Sequence, residues 1–130
     1  MTVKVSVSAS VLETENPEKV ARAVKNIFPR LAVKLVSQDG EKRVEAEGEG
    51  RESLERLKRI LSSRRIRAAA RAVMLQGKSE RGITFYLHKQ AAFAGQVSFC
   101  ESSRESPLGP IRVTLGGNNP EEVVEWLTAR

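Results

Sequence analysis

From Val3 to Val11 the chain alternates strictly. Val3, Val5, Val7, Ala9 and Val11 share one side, and Lys4, Ser6, Ser8 and Ser10 share the other. Side chains of a strand point to opposite faces in turn, so this pattern predicts a strand with one buried and one wet face. Such a strand needs a sheet covered on one side only, and antiparallel sheets are the ones that tolerate a solvated face.

The punctuation of the remaining chain fills in the layers. Asn16-Pro17-Glu18 predicts a helix start: Asn16 caps, Pro17 sits where a missing N–H costs nothing, and Glu18 lies in the positive first turn. Val20, Val24, Ile27 and Phe28 follow at helical spacing, with Pro29 past the end. Residues 31–37 predict a second strand, Gln38-Asp39-Gly40 a hairpin turn, and residues 42–49 the return strand. Between Arg51 and Leu75 no Gly or Pro intervenes. Leu54, Leu57, Ile60 and Leu61 form one apolar stripe there, and Ile66, Ala69, Ala70 and Val73 form another. Ser62-Ser63 marks the break, with Ser63 capping the second helix and Gly77 ending it. Residues 82–88, 95–100 and 111–115 predict three more strands, with a polar loop from Glu101 to Pro110. Asn119-Pro120-Glu121 repeats the earlier cap before Val123, Val124, Trp126 and Leu127. The order β-α-β-β-α-α-β-β-β-α predicts an α+β two-layer sandwich, a mostly antiparallel sheet with helices packed on one face, in a single domain over residues 1–130.

Composition bounds the setting. Of 130 residues 40% are hydrophobic, enough for one core, and the single cysteine, Cys100, excludes an internal disulfide and a Cys-based metal cluster. Nothing approaches the ~20 apolar residues of a membrane span, and Met1-Thr2-Val3-Lys4 lacks the apolar run of a signal peptide. The expected setting is the reducing cytoplasm, away from membranes.

The net charge of +6 is sharply localised. Residues 1–50 carry eight basic and eight acidic groups, and residues 72–130 six of each. Residues 51–71 set Arg51, Arg56, Lys58, Arg59, Arg64, Arg65, Arg67 and Arg71 against Glu52 and Glu55, so the whole excess lies there. Arginine outnumbers lysine fourteen to eight, which matters because the guanidinium forks onto phosphate or carboxylate where an ammonium acts as a point charge.

Enzyme signatures are largely absent. His88 is the one histidine, so zinc would have to lean on carboxylates. A Cys100–His88 nucleophile pair is formally available if their strands are neighbours, but both fit as ordinary strand residues. Gly116-Gly117-Asn118 lacks the spacing of phosphate-binding loops and fits a turn feeding the Asn119 cap. Glu45, Glu47 and Glu49 line one strand face, where they bind a cation weakly, stay solvated, or partner the arginines. No catalytic constellation, cofactor or metal is implied.

A helix through 64–75 places Arg64, Arg67 and Arg71 on one face and Ile66, Ala69, Ala70 and Val73 opposite, with Arg65 at the edge. Such a stripe can follow a nucleic-acid backbone by replacing condensed counterions. It can equally be a solvated face, or pair with the Glu45/Glu47/Glu49 row within one chain or across a dimer. Of Phe85, Tyr86, Phe93, Phe99 and Trp126, at least four sit in contexts that predict core, with Tyr86 the best candidate for exposure. That favours shape-reading of structured RNA over single-strand capture.

The strings Thr84-Phe85-Tyr86-Leu87-His88-Lys89-Gln90-Ala91-Ala92-Phe93, Gly95-Gln96-Val97-Ser98-Phe99-Cys100 and Glu105-Ser106-Pro107-Leu108-Gly109-Pro110-Ile111 are distinctive. With the Asn16-Pro17-Glu18 start, Arg65-Ile66-Arg67 and the Trp126-Leu127 end, they resemble the archaeal uncharacterised protein family 201 over essentially the whole chain. His88 departs from the pattern, which usually has asparagine there, so no role needing that amide carries over. The resemblance implies a fold similar to the ribosomal protein that binds five-S rRNA, and a homodimer. Its RNA-binding label rests on fold similarity, which is an analogy.

The expectation is therefore a non-enzymatic, dimeric protein that contacts the phosphates of structured RNA through Arg64, Arg65, Arg67 and Arg71, with Lys89 extending the patch. The alternative is a dimeric interaction or scaffold protein whose arginines pair with carboxylates. A third reading, an enzyme acting on an anionic small molecule, lacks acid–base machinery.

Overall fold

In a computed structural model, which describes residues 2–63, 65–100 and 109–129, the alternating segment is strand β1 (Val3–Val11). Val3, Val5 and Val7 are buried and Val11 partly so, while its lysine and serines lie on the other face, as the period-two pattern requires. Helix α1 (Pro17–Ile27) follows, capped by Asn16, whose Oδ1 accepts from the Glu18 amide at 2.9 Å. Then come β2 (Ala32–Gln38) and β3 (Glu41–Glu49), joined by the two-residue turn Asp39-Gly40. Both turn residues have positive φ, at 53° and 79°, the requirement that makes Asp-Gly a hairpin signal.

A 3-10 turn (Arg51–Leu54) leads into α2 (Glu55–Ser63) and α3 (Arg67–Gln76). The short β4 (Lys78–Ser79) precedes β5 (Gly82–His88), α4 (Lys89–Phe93), β6 (Phe99–Cys100), β7 (Pro110–Gly117) and α5 (Pro120–Leu127). The described sheet runs β2-β3-β1-β7-β5-β4, with β6 also on β5, and every ladder is antiparallel. The α+β sandwich is the observed architecture. Among the described residues no helix is long and apolar enough to cross a membrane.

All five helices contribute buried side chains to one cluster on the valine face of the sheet. Leu54, Leu57, Ile60 and Leu61, the stripe read from the sequence, are all buried, each full burial contributing about 1.5–3 kcal/mol. The opposite face carries Lys4, Ser6 and Ser8 of β1, Glu45, Glu47 and Glu49 of β3, and Arg112 and Thr114 of β7. Register places Ser8 between Glu45 and Arg112, so this wet surface is mixed in charge rather than basic.

Five details differ from the pattern-based expectation. Lys89–Phe93 is a helix rather than a connection, and the strand expected over 95–100 shrinks to Phe99–Cys100. Ser63 closes α2 instead of capping α3, its Oγ donating back to the Ile60 carbonyl at 3.2 Å. The buried side of α3 is Ala70 and Met74, while Ala69 is exposed. Among the five aromatics read as mostly core, only Phe85 is fully buried; Phe99 and Trp126 are half-buried, and Phe93 is 36% exposed.

Lys89 is the sixth difference and the largest. It is 0% exposed, donating to the Ser10 carbonyl at 2.5 Å and to Glu15 Oε1 at 2.9 Å. Its position at the first residue of α4 turns the side chain inward, toward the loop between β1 and α1. It cannot extend a surface patch. At the other end of α4, Asn26 Nδ2 donates to the Ala92 and Phe93 carbonyls at 2.9 and 3.2 Å. A five-residue helix is too short to stand alone, and these polar pins hold it on α1.

Candidate nucleic-acid interface

The junction of α2 and α3 sets the geometry of the basic segment. Ile66 N donates to Leu61 O and Arg65 N to Ser62 O, both at 3.3 Å, the paired bonds of a Schellman turn. Arg65 occupies its left-handed position with φ +57°, where glycine is the favoured residue. Helix α3 then starts at Arg67, with Ile66 offering no capping side chain and no acidic residue in the first turn. Its first amides lack helical acceptors and carry the positive end of the helix dipole.

Helix α3 begins at Arg67, so of the expected stripe it carries Arg67 and Arg71. Arg65 comes from the turn, and Arg67 and Arg71 from successive turns of α3. Arg64 lies outside the described residues. Arg65, Arg67, Ala68 and Arg71 form one wall of an open groove of about 630 Å³, faced by Glu125, Thr128 and Ala129 from the end of α5. Arg67 Nη1 donates to Ser62 Oγ at 3.2 Å, and Arg71 forms an ion pair with Glu125. The hydrogen bond from Arg71, opposed by desolvation and aided to a lesser extent by the guanidinium charge, holds the Glu125 carboxyl below the usual range; Glu125 in turn raises Arg71 above its ordinary value. Arg65 is exposed, and its side chain has no hydrogen bond or ion pair among the described residues.

Other basic groups of the segment turn elsewhere. Lys58 Nζ donates to the Trp126 carbonyl at 2.6 Å and the Ala129 carbonyl at 3.3 Å, satisfying the last turn of α5. It also lies 5.2 Å from the Trp126 ring centroid, and the Arg51 guanidinium lies 5.9 Å from it. Sequence reasoning missed this cluster because Trp126 was assigned to the core with Val123 and Leu127. At about 100° per residue it falls roughly a quarter turn from the centre of that stripe, which is the signal that would have placed it at the rim.

Among the described residues the glutamate row makes no ion pair with the basic helices. Glu45, Glu47 and Glu49 project from the face opposite the helices, and Glu45 pairs with Arg43 at 3.3 Å. No group of three or more potential metal ligands comes together among the described residues. Register sets Tyr86, not His88, opposite the buried Cys100. Gly116 and Gly117 end β7 against Lys4 and Val3, and Asn119 Oδ1 then caps α5 by accepting from the Glu122 amide at 3.2 Å. Residues 101–108, including most of the Glu105–Pro110 string, lie outside the described residues.

A family model described as RNA binding matches residues 4–116. A UPF0201 protein of Aeropyrum pernix is 40% identical over 126 residues, spanning 96% of this chain and 84% of its own length. This chain belongs to the UPF0201 family. A UPF0201 protein of Sulfolobus acidocaldarius is 39% identical over 98% of this chain and 88% of its own. The crystal structure of a UPF0201 protein from Methanococcus jannaschii matches with a TM-score of 0.82 at 34% identity, covering 97% of this chain and 99% of that one. The segment matched by the family model contains the Arg65–Arg71 wall of the groove, whereas the α5 wall of this UPF0201 chain falls beyond it.

Proposed function

We propose that this protein binds structured RNA without acting on it chemically, and that the groove between α3 and α5 takes the phosphates. Arg65, Arg67 and Arg71 are the contacting groups, with the open amides of the α3 start beside them. The RNA-binding family model supports the partner class. The observation that carries the site is Arg65: an arginine kept at a left-handed turn position, where glycine would be unstrained, with its guanidinium uncommitted at the mouth of a basic groove. Glu125, the one carboxylate lining the groove among the described residues, is occupied by Arg71, which supports binding rather than acid–base chemistry. Lys89 has no part in it.

The test is binding of a hairpin RNA across a salt series. Each phosphate neutralised contributes a log–log slope of about −0.7 to −0.9, so Arg67→Ala and Arg71→Ala should each flatten the slope by about that amount while leaving the domain folded. Binding that ignores salt, or no binding at low salt, overturns the proposal. We also propose a homodimer, because one sheet face carries no described helix and the outer edge of β2, with Leu35 52% exposed, has no partner strand among the described residues. Sedimentation at micromolar concentration should give twice the chain mass; a clean monomer refutes it.

A further inference from the structure

Among the described residues, Trp126 is the ring with cations over it. It is seated on the core yet only half-buried, so part of the indole remains open to solvent. Lys58 is fixed there by two carbonyls, whereas Arg51 is exposed and its side chain has no hydrogen bond or ion pair among the described residues. The cluster is also continuous with the groove. Ala129, which lines the groove, accepts from Lys58, and Glu125, the neighbour of Trp126 on α5, pairs with Arg71.

We infer that Trp126 is a stacking platform for one unpaired RNA base, held there while its backbone continues into the groove between α3 and α5. This rests on the RNA reading above and narrows it, to structured RNA that presents an unstacked nucleotide beside its helix. Where Arg51 moves off the ring, the partly exposed indole suits a flat ring of any base, because every base has a π-face. The flanking cations draw in the attached phosphates, and the Arg51 guanidinium can swing aside or stack on the free side of the base. An acidic peptide would meet the cations but leave the indole face uncovered.

The protein's single tryptophan makes the site its own reporter. An oligoadenylate of about eight nucleotides should bind at low salt and quench Trp126 emission, whereas inorganic polyphosphate, which has phosphates but no bases, should bind and leave emission unchanged. Trp126→Leu, which keeps apolar bulk toward the core, should lose about tenfold in affinity for the oligoadenylate with an unchanged salt slope. Trp126→Phe, which keeps a ring, should retain most of it. Salt-dependent binding of oligoadenylate without quenching, or equal quenching by polyphosphate, overturns the stacking platform while leaving the phosphate groove standing. Absence of binding by either probe at low salt overturns both.

Discussion

Replacing Arg65 by glycine should make the protein more stable and a poorer RNA binder. The Schellman turn that ends α2 needs a residue with positive φ, and Arg65 supplies it at +57°. For an L-residue that conformation costs about 1–2 kcal/mol, and glycine adopts it without the Cβ clash. Against this, glycine gives the unfolded chain more freedom, worth about 0.4–1 kcal/mol. The Arg65 side chain makes no hydrogen bond or ion pair among the described residues whose loss would offset the gain. The net expectation for Arg65→Gly is a stabilisation of ~0.5–1 kcal/mol. With a urea dependence of about 1–3 kcal/mol per molar, the unfolding midpoint should rise by a few tenths molar. The same variant should flatten the salt dependence of hairpin-RNA binding by about 0.7–0.9 in log–log slope. A destabilised Arg65→Gly would refute the claim that the turn is strained. Greater stability with unchanged binding would remove Arg65 from the interface.

Lys89→Met should leave Glu15, itself only 8% exposed, as an unpaired buried carboxylate, at a cost of about 3–5 kcal/mol. Adding Glu15→Gln should recover much of that loss in thermal unfolding, and RNA affinity should be untouched throughout; a Lys89→Met protein as stable as the parent contradicts the buried pair. Glu125→Gln should remove the carboxylate that competes with phosphate for Arg71, raising hairpin-RNA affinity by up to about fivefold while leaving the salt slope, to which Arg71 already contributes, little changed. Because the Glu125 carboxyl is held down by Arg71, the pair's contribution is present above the unfolded carboxylate value and lost only as pH falls through the depressed folded value. An NMR titration should show Glu125 ionised through the ordinary carboxylate range, and returned to that range in Arg71→Gln.

Elements whose chemistry is local were legible in the sequence. The β1 alternation, the Asp39-Gly40 turn and the two Asn-Pro caps each depend on residues within a few positions, and the structure reproduces all of them. Elements defined by distant partners were not. Helix α4 is shorter than a periodic window and exists because Asn26 and Glu15 hold it, and β4 and β6 are two-residue pairings created by the edge of β5. The candidate site divides the same way. The charge excess over 51–71 located one wall of the groove, while the other wall comes from α5, whose capping Lys58 and ion-paired Glu125 only the fold brings near. Lys89 reads as a surface cation because its partner Glu15 lies 74 residues earlier in the chain.

The central seam of the sheet joins β1 to β7, with Ala9 opposite Ile111. About 100 residues separate the two, so at a synthesis rate of ~5–20 residues per second β7 is made roughly 5–20 s after β1. Throughout that interval a growing chain can assemble β1, α1, β2 and β3, yet it must keep one edge of its valine-rich strand unclaimed. The middle of the molecule is thus the last part to be finished. A chain that stalls or is cut before Pro110 keeps that edge open indefinitely, as a template for pairing with another copy.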